Sequence, residues 1–115
     1  MNAHQAVAHD LGPVEVVPVG EGREFLVDGR RIAVFRPRSG TLAATDAVCP
    51  HRQGPLADGI IGMDSVVCPL HGRRFSLTSG EDDAGPCAVR VYPVESAGGR
   101  IVLTLAGEEI RAASR

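Results

Sequence analysis

No Gly-x-Gly-x-x-Gly fingerprint, no phosphate-binding P-loop and no Gly-x-Ser-x-Gly nucleophile turn occurs in this chain, which argues against dinucleotide binding, nucleotide hydrolysis and serine-hydrolase chemistry. Lysine is missing too. All twelve basic residues are arginines, outnumbered by fourteen acidic residues for a net charge of −2, so no nucleic-acid surface is expected. Long apolar runs are lacking, and with them any expected membrane span. The opening from Met1 to Asp10 has neither the basic start nor the apolar centre of an export signal, which makes the cytoplasm the expected location. Three cysteines cannot all pair, so a reducing compartment is expected rather than a disulfide framework. Aromatics are scarce, with no Trp, one Tyr and three Phe, while 14 Gly and 8 Pro punctuate 115 residues. That balance suits many short strands and turns around one core, a single all-β domain over residues 1–115.

What is present is concentrated in two short segments. Cys49-Pro50-His51 and Cys68-Pro69-Leu70-His71 each supply one thiolate and one imidazole, with sixteen residues between His51 and Cys68. In Cys49-x-His51 the two ligands sit two apart, so an extended tip turns both side chains to one side. In Cys68-x-x-His71 the extra residue is accommodated by Pro69, which fixes φ, and by Gly72, which tolerates a bend. Each segment is thus a two-toothed clamp. Two Cys with two His form the ligand set of a [2Fe–2S] centre with thiolates on one iron and imidazoles on the other. Two ferric ions, two sulfides, two thiolates and two neutral imidazoles sum to about zero charge, which eases addition of an electron relative to four thiolates. Zinc is the competing reading, because Cys and His pairs also build closed tetrahedral sites. Zinc pairs commonly arrive as Cys-x-x-Cys with a helical His pair, whereas here each loop mixes the two types and no helix pattern follows. A third reading leaves the histidines as ordinary loop residues and the cysteines as buried thiols. Cys87 is read that way, as a small buried residue opening a strand.

The rest of the chain reads as scaffold. Residues 1–12 are expected to be a polar tail carrying His4 and His9. Val14 to Val19 reads as a first strand. Arg23 to Val27 and Arg31 to Phe35 flank Asp28-Gly29, a strong two-residue hairpin signal. Thr41 to Thr45 leads into the first clamp, and Ile60-Ile61 with Val66-Val67 form a short hairpin between the clamps. The polar stretch 79–86, including Glu81, Asp82 and Asp83, is expected to be a solvated surface loop. Ala88 to Val94 and Arg100 to Leu105 read as strands rejoining the meander, and Ala106 to Arg115 as a short helix or frayed tail. Arg52, Arg73 and Arg74 lie beside the ligands and could guide an acidic partner or satisfy loop carbonyls.

The segments Cys49-Pro50-His51-Arg52-Gln53-Gly54-Pro55-Leu56-Ala57-Asp58-Gly59 and Cys68-Pro69-Leu70-His71-Gly72-Arg73-Arg74-Phe75 resemble the two cluster loops of Rieske proteins. The resemblance extends over about residues 14 to 105. It implies an antiparallel β-sandwich or small barrel with a cluster-binding lobe over about residues 46–78, and one Rieske [2Fe–2S] cluster per chain. Cofactor-binding metal ligands are then Cys49, His51, Cys68 and His71, the cysteines on the buried iron and the histidines on the outer iron; no catalytic residue is expected. High-potential Rieske subunits carry a Ser and a Tyr hydroxyl where this chain has Arg73 and Phe75, and a disulfide where it has Gly54 and Leu70. Without those donors to sulfur, the resemblance implies a potential near the low end, roughly −150 mV.

Within the family the chain is most similar to the small subunit of assimilatory NAD(P)H nitrite reductase, through its Cys87…Tyr92-Pro93-Val94 run. That likeness implies an electron-transfer subunit of an oxidoreductase, partnered with a large subunit carrying flavin and sirohaem. The alternative implied role is a stand-alone ferredoxin passing electrons from a flavin reductase to a ring-hydroxylating oxygenase. A zinc-bound or empty interaction module is the third. An oxygenase role is not expected, because only His4 and His9 remain for a second iron site.

Overall fold

The computed structural model describes residues 6–48, 54–69, 72–82 and 88–106. At its centre is the expected hairpin. Asp28 and Gly29 both take positive φ, 53° and 78°, which is what a tight two-residue turn between twisted strands demands. On either side run β2 (Glu21–Val27) and β3 (Arg30–Arg36), paired antiparallel along their whole length. β4 (Ala43–Asp46) pairs with β3, and β8 (Val91–Tyr92) with β4, completing a four-stranded sheet in the order β2-β3-β4-β8.

β3 explains how the domain is layered. Its run Ile32, Ala33, Val34, Phe35 is fully buried, which a strand with one wet face would not allow. Successive side chains point to opposite faces. Ile32 and Val34 join one apolar cluster with Val17, Tyr92, Ile101, Leu103 and Leu105, while Ala33 and Phe35 join another with Leu56, Val66, Cys68 and Phe75. The first cluster is covered by a sheet of β1 (Ala6–Pro13), β10 (Arg100–Ala106) and β9 (Val94–Ala97), in the order β1-β10-β9. The second cluster is covered by a small sheet of β5 (Ile60–Ile61), β6 (Ser65–Val67) and β7 (Arg74–Ser76). Every ladder is antiparallel, and the described residues contain no α-helix, only the two single 3₁₀ turns Val14–Val16 and Leu56–Asp58. The all-β expectation holds.

Several boundaries differ from those expected. The supposed polar tail is a strand: residues 6 to 10 of β1 pair with residues 102 to 106 of β10. His9 therefore lies in a sheet opposite Leu103, with Nε2 3.4 Å from Asp28 Oδ2 at ion-pair range, though without hydrogen-bond geometry. The physical reason is that β10 presents Ile101, Leu103 and Leu105 to the core and needs a partner along its free edge, which β1 provides by backbone pairing, with Leu11 packed against the same cluster and Arg100 Nε donating to Asp10 Oδ2 at 2.8 Å. Val14–Val16 forms a 3₁₀ turn rather than a strand, followed by the fully buried Val17. The expected strand Ala88 to Val94 breaks at Pro93, which has no N–H to give a ladder. The chain then changes sheets, from β8 beside β4 to β9 beside β10, and the Pro93 carbonyl accepts from Thr104 N at 2.9 Å. The helix or tail expected at the C-terminus falls, beyond Ala106, outside the described residues.

Candidate metal centre

Both clamp loops leave from the second apolar cluster. The first emerges from β4, whose end is secured on two sides: Asp46 N donates to the Arg90 carbonyl at 2.9 Å and Ala47 N to that of Arg31 at 3.2 Å. Its limbs are then pinched together by a bridge between Val48 and Pro55 and a bond from Leu56 N to the Ala47 carbonyl at 2.9 Å. The returning limb folds through the Leu56–Asp58 turn, burying Leu56, and reaches β5 at Gly59. A Cβ on Gly59 would stand 2.3 Å from the Val67 carbonyl, so only glycine lets this limb lie against β6.

The second loop is closed at its root. Cys68 N donates to the Arg73 carbonyl at 2.7 Å and Gly72 N to the Cys68 carbonyl at 3.0 Å, with Gly72 at φ +71°. The bend expected at Gly72 is therefore present, in a region that side-chain-bearing residues rarely enter. Cys68 is 1% exposed and belongs to the same apolar cluster as Ala47 and Leu56 from the roots of the first loop. A shared core thus brings the two roots side by side. Of the four expected ligands, Cys68 is described; Cys49, His51 and His71 lie outside the described residues, as do Cys87, Arg52 and His4. A buried thiol at the root of a tightly closed loop, followed by a left-handed glycine, fits a cysteine ligand held away from water.

Two polar networks support the loop roots, and neither was foreseen. Beside the first, Tyr92 donates to Asp46 Oδ1 at 2.5 Å, and Arg30 donates through Nε to the Tyr92 hydroxyl oxygen and through Nη2 to Asp46 Oδ1 at 3.3 Å. Arg90 N also donates to Asp46 Oδ2 at 3.1 Å. Burial, and then the bond to Asp46 and its negative charge, push the Tyr92 hydroxyl well above the usual tyrosine range. Beside the second, Arg73 Nη1 donates to Asp82 Oδ2 at 2.6 Å. The acidic run is thus not simply a solvated loop: Glu81 is exposed, whereas the Asp82 side chain is fully buried. Arg73 thus pairs with a carboxylate of its own chain while keeping its side chain 26% exposed. The one sequence signal for either network was that a charged residue of each sign lay near a clamp.

The described residues include no helix long and apolar enough to cross a membrane. A sequence profile of the Rieske [2Fe-2S] domain matches residues 8–98. The ferredoxin component of a naphthalene 1,2-dioxygenase system from Pseudomonas aeruginosa is 30% identical over 91 residues, covering 77% of this chain and 86% of that protein. Among solved structures, a chain from Mycobacterium tuberculosis named as an NADH-dependent nitrite reductase small subunit superposes with a TM-score of 0.82 at 27% identity, covering 88% of this chain and 96% of that one. The ferredoxin of carbazole 1,9a-dioxygenase from Nocardioides aromaticivorans superposes with a TM-score of 0.75 at 28% identity, covering 84% and 96%.

Proposed function

From the premise that this chain belongs to the Rieske [2Fe–2S] domain family and transfers electrons through such a cluster, we propose that Cys49, His51, Cys68 and His71 are its ligands and residues 46–78 its cluster lobe. When bound, the cluster accepts and releases one electron at a time. The protein's own contribution is to hold the Cys68 thiolate inside the apolar core, away from water. The observation that carries this reading is the burial of Cys68 in the cluster that also roots the first loop. Replacing His71 by Ala should abolish the rhombic paramagnetic resonance signal of the reduced protein and lower iron and sulfide together. A His71→Ala chain that keeps the full signal would remove this residue from the ligand set.

As its physiological role we propose the small subunit of an NAD(P)H-dependent nitrite reductase, working in the cytoplasm beside a large subunit that carries flavin and sirohaem. Supporting this is the near-complete mutual coverage with the M. tuberculosis chain. The second reading, a ferredoxin serving a ring-hydroxylating oxygenase, is favoured by the 30% identity to the dioxygenase ferredoxin component. Stopped-flow reoxidation of the reduced chain separates them. Fast electron exchange with a nitrite reductase large subunit and none with an oxygenase supports the first, and the reverse result replaces it with the second.

A further inference from the structure

Arg73 and Asp82 form an ion pair at a place where a buried charge is expensive. The Asp82 carboxylate is fully buried and the Arg73 side chain only 26% exposed, so both have given up much of their hydration. The pair is fixed by backbone as well. The Arg73 carbonyl closes the root of the second loop by accepting from Cys68 N, Asp82 bridges to Phe75, and Ser76 N donates to the Glu81 carbonyl at 2.9 Å. Arg73 therefore stands two residues past His71 with its guanidinium held by a carboxylate from the loop that follows β7.

We propose that the Arg73–Asp82 pair is a charge-compensating tether that sets the reduction potential of the cluster. Reduction adds one negative charge to the centre. An uncompensated guanidinium on Arg73, whose carbonyl closes the loop root at Cys68, would stabilise that charge and draw the potential upward, because charges in a partly dry setting act over longer distances than in water. Asp82 cancels this pull while keeping the arginine as a structural tie. Both residues are positioning residues. The inference rests on Cys68 and His71 holding the cluster.

The test is a redox titration of the cluster-loaded full chain, followed by paramagnetic resonance, for four forms. Asp82→Asn should shift the potential up relative to wild type, Arg73→Gln should shift it down, and the double variant should return close to the starting value. A purely structural tie would give single-variant shifts of one sign, or none. Should Asp82→Asn not retain its cluster, Arg73→Gln carries the same test with the opposite sign. A loaded Asp82→Asn chain at the wild-type potential overturns the charge role alone. A wild-type chain that never shows the rhombic signal overturns the ligand assignment, and the tether with it.

Discussion

The two apolar clusters on the faces of β3 are built by different means. The scaffold cluster lies between sheets whose main strands run seven or eight residues, and Val17, Ile32, Val34, Ile101, Leu103 and Leu105 are all fully buried in it. Its order comes from repetition. The lobe cluster is covered by strands of two or three residues, and its loops depend on single contacts: the Val48 to Pro55 bridge, the close approach at Gly59 and the Arg73 to Asp82 pair. The region proposed to carry the cluster is thus the one covered by the shortest strands, and its loss need not unfold the scaffold.

The sharpest way to break that contrast is to attack the scaffold. Leu103→Ala removes a fully buried side chain from the core and should cost about 3 kcal/mol, lowering the urea midpoint and emptying the cluster site together. Retention of the wild-type midpoint would show that the scaffold cluster is less tightly packed than its burial suggests. Gly59→Ala should act differently. Its new Cβ would meet the Val67 carbonyl at 2.3 Å, and the forced shift should cost about 2 kcal/mol within the lobe. Iron content should fall while far-ultraviolet circular dichroism changes little; equal losses of both would merge the two regions into one cooperative unit.

Phe75→Tyr probes the lobe more gently. Phe75 is fully buried in the cluster that contains Cys68, and a hydroxyl donating to sulfur would favour the reduced state by about 1 kcal/mol. For a one-electron couple that is an upward shift of about 40 mV. An unchanged potential would mean that the hydroxyl does not reach the sulfur.

The smallest effect concerns the seam between the regions, where Tyr92 bonds to Asp46. Its folded value is raised above the ordinary 10.0, so the protonated form is favoured by folding. Between the two values the unfolded chain ionises while the native one does not. Its contribution is therefore complete below about pH 10 and is lost as pH rises toward the folded value. Denaturant midpoints followed across that window should fall in the wild type and fall less in Tyr92→Phe; identical slopes would show that Tyr92 is not the group responsible. This chain has one tyrosine and no tryptophan, so tyrosinate absorbance reports the site without interference from other rings.

Much of this arrangement was legible in the chain. Asp28-Gly29 announced its hairpin because the turn needs two residues that tolerate positive φ, and Gly72 announced its bend for the same reason. The hairpin of Ile60-Ile61 with Val66-Val67 was legible from short apolar runs around polar turn residues. β1 was not, because its residues carry no apolar alternation and form a strand only when β10 offers an edge. Asp82 was also unreadable: an acidic run is ordinarily solvated, and nothing local says that Arg73 will reach it.

By itself the sequence determined two mixed Cys/His pairs and their spacing, the all-β character and the principal turns, since each depends on residues near one another along the chain. Tertiary structure alone decided that β1 closes a sheet with β10, that Pro93 hands the chain from one sheet to another, and that Asp46 and Asp82 each find an arginine at the root of a cluster loop. Those outcomes rest on backbone edges and charges brought together from distant positions, and their free energy exists only after the core has assembled.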